Sequence, residues 1–121
     1  MLELSVEFFP PKTGEGTSRF NKAADELVPL GFGFASVTYG AGGSTREGTL
    51  TAARELKKRF KEGVPHVSCY GSNEKSIHEL LKTYLHDGFS RLVVLRGDLP
   101  SGYGGLGEFK NAVDLVRFVR R

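Results

Sequence analysis

The sequence predicts an α/β protein built from four consecutive strand–helix units around a parallel sheet. Short apolar runs recur at intervals of roughly thirty residues, each is followed by a stretch with helical spacing, and no hairpin signal separates two runs. Strands connected in this way pair in parallel through right-handed crossovers. We therefore expect half of a (β/α)8 TIM-type barrel, since a complete barrel needs about 250 residues. The alternative is a small, flattened doubly wound sheet.

The composition is that of an ordinary globular protein, with 121 residues, 39% hydrophobic and 26% charged, which we interpret as a single half-barrel domain over residues 1–121. No apolar run approaches the ~20 residues of a membrane span, and no signal-peptide pattern opens the chain. The lone Cys69 excludes an internal disulfide, so we expect a cytoplasmic protein. Basic residues bunch between 54 and 61 on one predicted helix, which favours a solvated helix face and predicts neither a nucleic-acid nor a membrane partner.

The first unit begins with alternating apolar and polar residues over 2–9, which is typical of a strand that Pro10–Pro11 then ends. After a polar loop, Thr17 or Ser18 is expected to cap a helix that Gly31 closes. This unit places a strand end directly before the diproline.

The second unit has a strand over 34–39, a glycine-rich loop over 40–45, and a helix from near Thr45 to near Gly63. The third has a strand over 65–70, a cap at Ser72 or Asn73, and a helix closed by Gly88. Both units repeat the order of the first.

The fourth strand, over 92–95, is a continuous apolar run that we expect to be buried on both faces. Arg96, Gly97 and Asp98 follow it, at the carboxyl end of a parallel strand, where α/β proteins place their sites. The last helix is predicted to turn five apolar residues inward: Phe109, Ala112, Val113, Val116 and Val119.

Strand alternation divides the sheet into two faces of different polarity. The apolar face, which helices would cover, carries Leu4, Val6, Val37, Val67 and Cys69. The other face carries Ser5, Glu7, Ser36, Thr38, His66 and Ser68. A sheet covered by helices on both sides should not carry these polar residues, because an unpaired buried polar group costs about 1 to 3 kcal/mol. The mouth of a barrel tolerates them, so this face favours the half-barrel and a site at the strand ends.

Five segments of the chain resemble the flavin-dependent methylenetetrahydrofolate reductases in family order and at family spacing. They are VEFFPPK (6–12), SVTYGAGGSTR (36–46), PHVSC (65–69), LRGDLP (95–100) and AVDLV (112–116). The resemblance implies a (β/α)8 barrel that binds FAD non-covalently and uses NAD(P)H as co-substrate. It also implies the reduction of methylenetetrahydrofolate to 5-methyltetrahydrofolate, a step of one-carbon metabolism that feeds methionine biosynthesis.

The same resemblance assigns roles to individual residues. Glu7 would be the general acid that protonates a folate ring nitrogen, and Asp98 would lie beside the flavin and the folate. The residues similar to flavin contacts are Thr38, Tyr39, Ala41, His66, Leu95, Arg96, Gly97, Asp98 and Ala112. No metal site is expected, because His66 and Cys69 lie three positions apart on opposite strand faces.

The chain departs from the family pattern at Asn111 and at Glu47–Gly48, and members of the family continue for four more strand–helix units. An alternative is therefore a catalytically inactive half-barrel that acts as a folding or dimerisation unit, with at most residual flavin binding. The first and fourth strands would both be open edges, which predicts a homodimer formed by edge-to-edge pairing.

Overall fold

The computed structural model of the chain describes residues 2–39, 46–68, 73–97 and 109–121. Its strands are β1 (Ser5–Phe8), β2 (Phe34–Val37), β3 (Gly63–Ser68) and β4 (Val93–Leu95). Its α-helices are α1 (Gly14–Leu27), α2 (Arg46–Arg59), α3 (Glu74–His86) and α4 (Ala112–Val119), and a short 3-10 turn, Val28–Leu30, follows α1. The predicted alternation of four strands with four helices is confirmed.

The strands form one sheet in the order β1-β2-β3-β4, with β1 parallel to β2 and β2 parallel to β3. A doubly wound sheet needs a point where the strand order reverses, and this order contains none. Within the described residues the sheet is open, with β1 and β4 as its edges. The chain is thus an α/β protein whose open parallel sheet is consistent with part of a TIM-type barrel, as predicted.

Two compact units make up the chain, Met1–His66 and Val67–Arg121. In the first unit, the buried Phe8 of β1 packs against Phe20 of α1 and Phe60 after α2, with ring centroids 5.1 and 6.0 Å apart. These rings fix both helices against the apolar face of the sheet. Among the described residues, no helix combines the length and the apolar character that crossing a bilayer requires.

The first helix begins earlier than predicted. Its N-cap is Thr13, whose hydroxyl accepts a hydrogen bond of 2.9 Å from the backbone N–H of Gly16. The sequence favoured a later start, with Thr17 or Ser18 as the cap, because Gly14 and Gly16 are poor helix formers. That prediction was wrong, since the first turn of a capped helix tolerates such residues. Positive φ angles of 80° at Gly31 and 84° at Gly88 end the helical turns after α1 and α3, as expected.

In the second unit, Asn73 caps α3 through a reciprocal pair of hydrogen bonds with Ser76, as one of the two predicted caps. Tyr84 of α3 packs edge-to-face on Phe89, with ring centroids 5.8 Å apart. The predicted inward stripe of the last helix is confirmed at Phe109, which is buried, and is wrong at Val113 and Val116, which are 56% and 38% exposed. The fully buried residue of α4 is Leu115. Six of the eight residues of α4 are apolar, so the sequence fits more than one helix face.

The strands also differ from prediction in extent or burial. Leu2 and Leu4, predicted to lie in the first strand, precede β1 and are 91% and 61% exposed. β2 ends at Val37 rather than at residue 39, and β3 begins at Gly63 rather than at residue 65. The residues of β4 are half-buried rather than buried on both faces, as befits the last strand of an open sheet.

Candidate functional site

The pairing register places the polar residues of the first unit on one face of the sheet. Glu7 pairs with Ser36, while Phe8 pairs with Val37 on the opposite, helix-covered face. Since Val37 pairs with Pro65, the next residues, Thr38 and His66, also lie level with each other. Alternation along these strands therefore brings Glu7, Ser36, Thr38 and His66 to the same face.

Thr38 is held at the end of β2 by both of its backbone polar groups. Its N–H donates to the Phe8 carbonyl at 3.0 Å, and its own carbonyl accepts a 2.9 Å hydrogen bond from the Thr49 hydroxyl of α2. The side chain is buried, yet its Oγ1 atom has no hydrogen-bond partner in the described structure. The result is a fixed hydroxyl that remains available to a ligand.

His66 lies beside Glu7 on the same face. Its Nε2 atom is 3.5 Å from Oε1 of Glu7, slightly beyond hydrogen-bond length, and no hydrogen-bond partner for this nitrogen is present among the described residues. The imidazole is 7% exposed, whereas the Glu7 side chain is 55% exposed. Burial lowers the pKa of His66, and the neighbouring Glu7 carboxylate opposes part of that decrease.

In the second unit, three of the predicted flavin contacts lie at the end of β4. Leu95 is the last residue of the strand, and the Arg96 carbonyl accepts a 3.0 Å hydrogen bond from the Ser68 hydroxyl of β3. Gly97 has a φ of 83°, in the left-handed region that favours glycine. Ser68 thereby holds the backbone just after β4.

Two further predicted flavin contacts, Tyr39 and Ala112, are among the described residues. Tyr39 follows Thr38 and is half-buried, and Ala112 is the first residue of α4. Asn111, a departure from the family pattern, caps α4 by accepting a 2.9 Å hydrogen bond from the Asp114 N–H. Ala41 and Asp98 lie outside the described residues, so their assigned roles stay predictions.

Sequence reasoning missed the part played by Thr49. This residue is fully buried on α2 and donates to a strand carbonyl eleven positions earlier in the chain. The available signal was weak: a hydroxyl residue at a position that the helical pattern turns toward the sheet. The Asn111 cap had a clearer signal, an Asn placed three residues before an Asp at the start of a helix.

The fit of a cofactor to this face can be judged from its polar atoms. Buried polar groups in native proteins are nearly always hydrogen-bonded, and leaving one unpaired costs about 1 to 3 kcal/mol. The unpartnered Thr38 hydroxyl and His66 ring nitrogen therefore suit a polar ligand that lies on this face. Among the described residues, no group of three or more His, Cys, Asp or Glu side chains is arranged to hold a metal ion.

These features define a class before any comparison with known proteins. The chain is an α/β protein whose open parallel sheet carries, on one face near the strand ends, a half-exposed carboxylate beside a buried imidazole. On the same face, the Thr38 hydroxyl and the His66 Nε2 atom have no hydrogen-bond partner among the described residues. TIM-type barrels place their active sites at the carboxyl ends of their strands.

Comparison with known proteins then gives the family. The sequence pattern of the methylenetetrahydrofolate reductase family matches residues 2–121, so the chain belongs to that family. The chain is 36% identical over 120 residues to the 5,10-methylenetetrahydrofolate reductases of Salmonella typhimurium and Escherichia coli, covering 98% of this chain and 40% of each relative. It is 36% identical to methylenetetrahydrofolate reductase (NADH) 1 of Zea mays over 121 residues, which is 96% of this chain and 20% of that protein.

The chain therefore spans two-fifths of the length of these bacterial relatives and one-fifth of the plant relative. All of the similarity falls within the part of the enzymes that this chain represents. The family is shown, and the five-segment resemblance seen in the sequence is confirmed.

Proposed function

We propose that the chain provides the proton-donor and flavin-facing part of a methylenetetrahydrofolate reductase active site, with 5-methyltetrahydrofolate as the product. The observation that carries this proposal is the polar strand face, where Glu7 lies beside the buried His66 ring and the buried Thr38 hydroxyl has no hydrogen-bond partner among the described residues. Membership of the family supplies the reaction class. The prediction of a cytoplasmic protein of one-carbon metabolism goes with this proposal.

Glu7 is the proposed general acid. Its carboxyl group is 55% exposed at the carboxyl-terminal half of β1, which leaves it free to reach a substrate above the sheet. In this role it donates a proton to a ring nitrogen of methylenetetrahydrofolate, and the ring opens to an iminium ion that accepts hydride. The proposed part of Asp98 is to set the charge beside the flavin and the folate.

Non-covalently bound FAD would supply the hydride, which it receives from NAD(P)H. Thr38 offers it a fixed hydroxyl, and His66 offers it a buried imidazole ring. The other proposed contacts are Tyr39, Ala41, Leu95, Arg96, Gly97 and Ala112. The backbone hydrogen bonds at Thr38 and Arg96 would orient this part of the site before any ligand arrives.

A second candidate is an inactive half-barrel that serves as a folding or dimerisation unit. It is favoured by the two unpaired sheet edges, β1 and β4, within the described residues. We propose that residues 1–121 act as one half-barrel domain, and that two copies pair these edges to form an eight-stranded arrangement. This homodimer is compatible with flavin binding, so one experiment can test both ideas.

The test is size-exclusion chromatography with light scattering and added FAD. Flavin absorbance should travel with the protein at the mass of a dimer. Thr38→Val, which removes only the unpartnered hydroxyl, should weaken FAD binding by about three- to tenfold, the equivalent of one neutral hydrogen bond. Thr51→Val, an exposed threonine on α2, is the matched control and should leave binding unchanged.

The outcomes separate the two candidates. If flavin elutes as a free small molecule, separate from the wild-type chain, the proposed flavin site is contradicted. The inactive half-barrel is then the candidate that agrees with the result. A monomeric mass with bound flavin would contradict the dimer alone.

A further inference from the structure

Glu7 and His66 come close together although their strands are not neighbours. β2 lies between β1 and β3, so the two backbones are separated by two strand spacings, about 9.6 Å in a flat sheet. Yet Nε2 of His66 is 3.5 Å from Oε1 of Glu7. The two side chains must therefore reach toward each other across β2.

The residues of β2 leave room for this contact. Ser36, the register partner of Glu7, and Thr38, level with His66, are both small and buried, and neither is charged. A large side chain at either position would occupy the space above β2. The contact is thus a consequence of which residues β2 presents to this face.

We propose that His66 is a positioning residue for Glu7, holding its carboxyl group above β2 through the Nε2 ring nitrogen. A neutral imidazole can donate from an Nε2–H to a carboxylate, or accept at a bare Nε2 from a carboxylic acid, because its proton can reside on either ring nitrogen. One ring can therefore hold the carboxyl group both before and after it transfers a proton. The catalytic role of this contact rests on the proposed function, whereas the contact between the Glu7 and His66 side chains does not.

The burial of the two side chains supports this division of roles. The ring is fixed in the protein, with 7% exposure, and the half-exposed Glu7 is the partner that can move the last few tenths of an ångström. Burial lowers the pKa of His66, which favours the neutral ring that the proposal requires. Among the described strands, β2 and β4 carry no charged residue, and the one charged residue of β1 is Glu7.

The test is an NMR titration of the isotopically labelled full chain without flavin or folate. It compares the wild type with Glu7→Gln and with Glu3→Gln, an exposed control that removes the same charge from the same end of the chain. In Glu7→Gln the pKa of His66 should decrease further, since the carboxylate that favours the imidazolium is gone. Glu3→Gln should leave it at the wild-type value.

The reciprocal measurement needs no change at Glu7. In the wild type, the chemical shift of the Glu7 carboxyl carbon should change at the pH where His66 titrates, because the proton gained by the imidazole alters the field at the neighbouring carboxyl group. His66→Gln places an amide near the position of the ring nitrogen but cannot titrate, so this change should disappear. The dispersion of the backbone amide resonances in every spectrum reports whether the variant is folded.

The proposal is overturned if His66 titrates alike in wild type and Glu7→Gln, or if Glu3→Gln moves it as much. It is also overturned if the chemical shift of the Glu7 carboxyl carbon in the wild type does not change at the pH where His66 titrates. Because no flavin is present, loss of this coupling is distinguishable from failure of the flavin-binding test above.

Discussion

The backbone of Thr38 is hydrogen-bonded through both its N–H and its carbonyl, whereas its side-chain hydroxyl has no partner among the described residues. These two hydrogen bonds are 3.0 and 2.9 Å long, and the Oγ1 atom is buried. A buried hydroxyl without a partner costs about 1 to 3 kcal/mol of folding free energy, and its orientation is set in advance for a ligand. The buried ring of His66 likewise presents, beside Glu7, a nitrogen with no hydrogen-bond partner among the described residues.

Replacing Thr49 tests how the end of β2 is held. Thr49→Val keeps the shape of the side chain but removes the donor to the buried Thr38 carbonyl, which should lower the free energy of unfolding by about 1 to 3 kcal/mol. Thr51→Val makes the same chemical change at an exposed position of α2 and should alter it by less than about 0.5 kcal/mol. Denaturant unfolding of both variants gives the comparison, and equal losses would show that the Thr49 bond does not matter.

The helices differ in how firmly their sequence decides which face is buried. In α1, Phe20 and Ala24 are four positions apart and both are buried. In α4, apolar residues surround most of the helix, and the buried residue is Leu115. Phe109 before the helix and Phe118 within it pack with ring centroids 5.4 Å apart.

Truncation of α4 distinguishes the observed face from the predicted one. Leu115 is fully buried, so Leu115→Ala should lower the free energy of unfolding by about 2 to 5 kcal/mol. Val113 is 56% exposed, so Val113→Ala should cost less than about 0.5 kcal/mol. Unfolding curves in denaturant measure both. A larger loss of unfolding free energy for Val113→Ala than for Leu115→Ala would contradict the observed buried face of α4 and support the face that the sequence predicted.

The order of elements and the polar face could be predicted because both depend on periodicity, which is local in the sequence. The Thr13 cap and the Thr49 hydrogen bond could not, since each depends on where another segment comes to lie. The convergence of Glu7 and His66 across β2 likewise depends on the register of three strands. The sequence placed both residues on one face, and only the folded sheet brings their side chains together.

The chain as a whole matches two-fifths of the length of its bacterial relatives. We propose that the cofactor binds on the polar strand face, at Thr38 and His66, and not on the basic helix α2.

The most direct test of this claim is a residue-by-residue map of chemical-shift changes when FAD is added to the labelled full chain, with ADP as the control that has the diphosphate but no flavin ring. We expect FAD, and not ADP, to shift the signals of Thr38 and His66. Changes confined to the exposed lysines of α2, Lys57 and Lys58, or equal changes with FAD and ADP, would contradict a flavin site on the polar strand face.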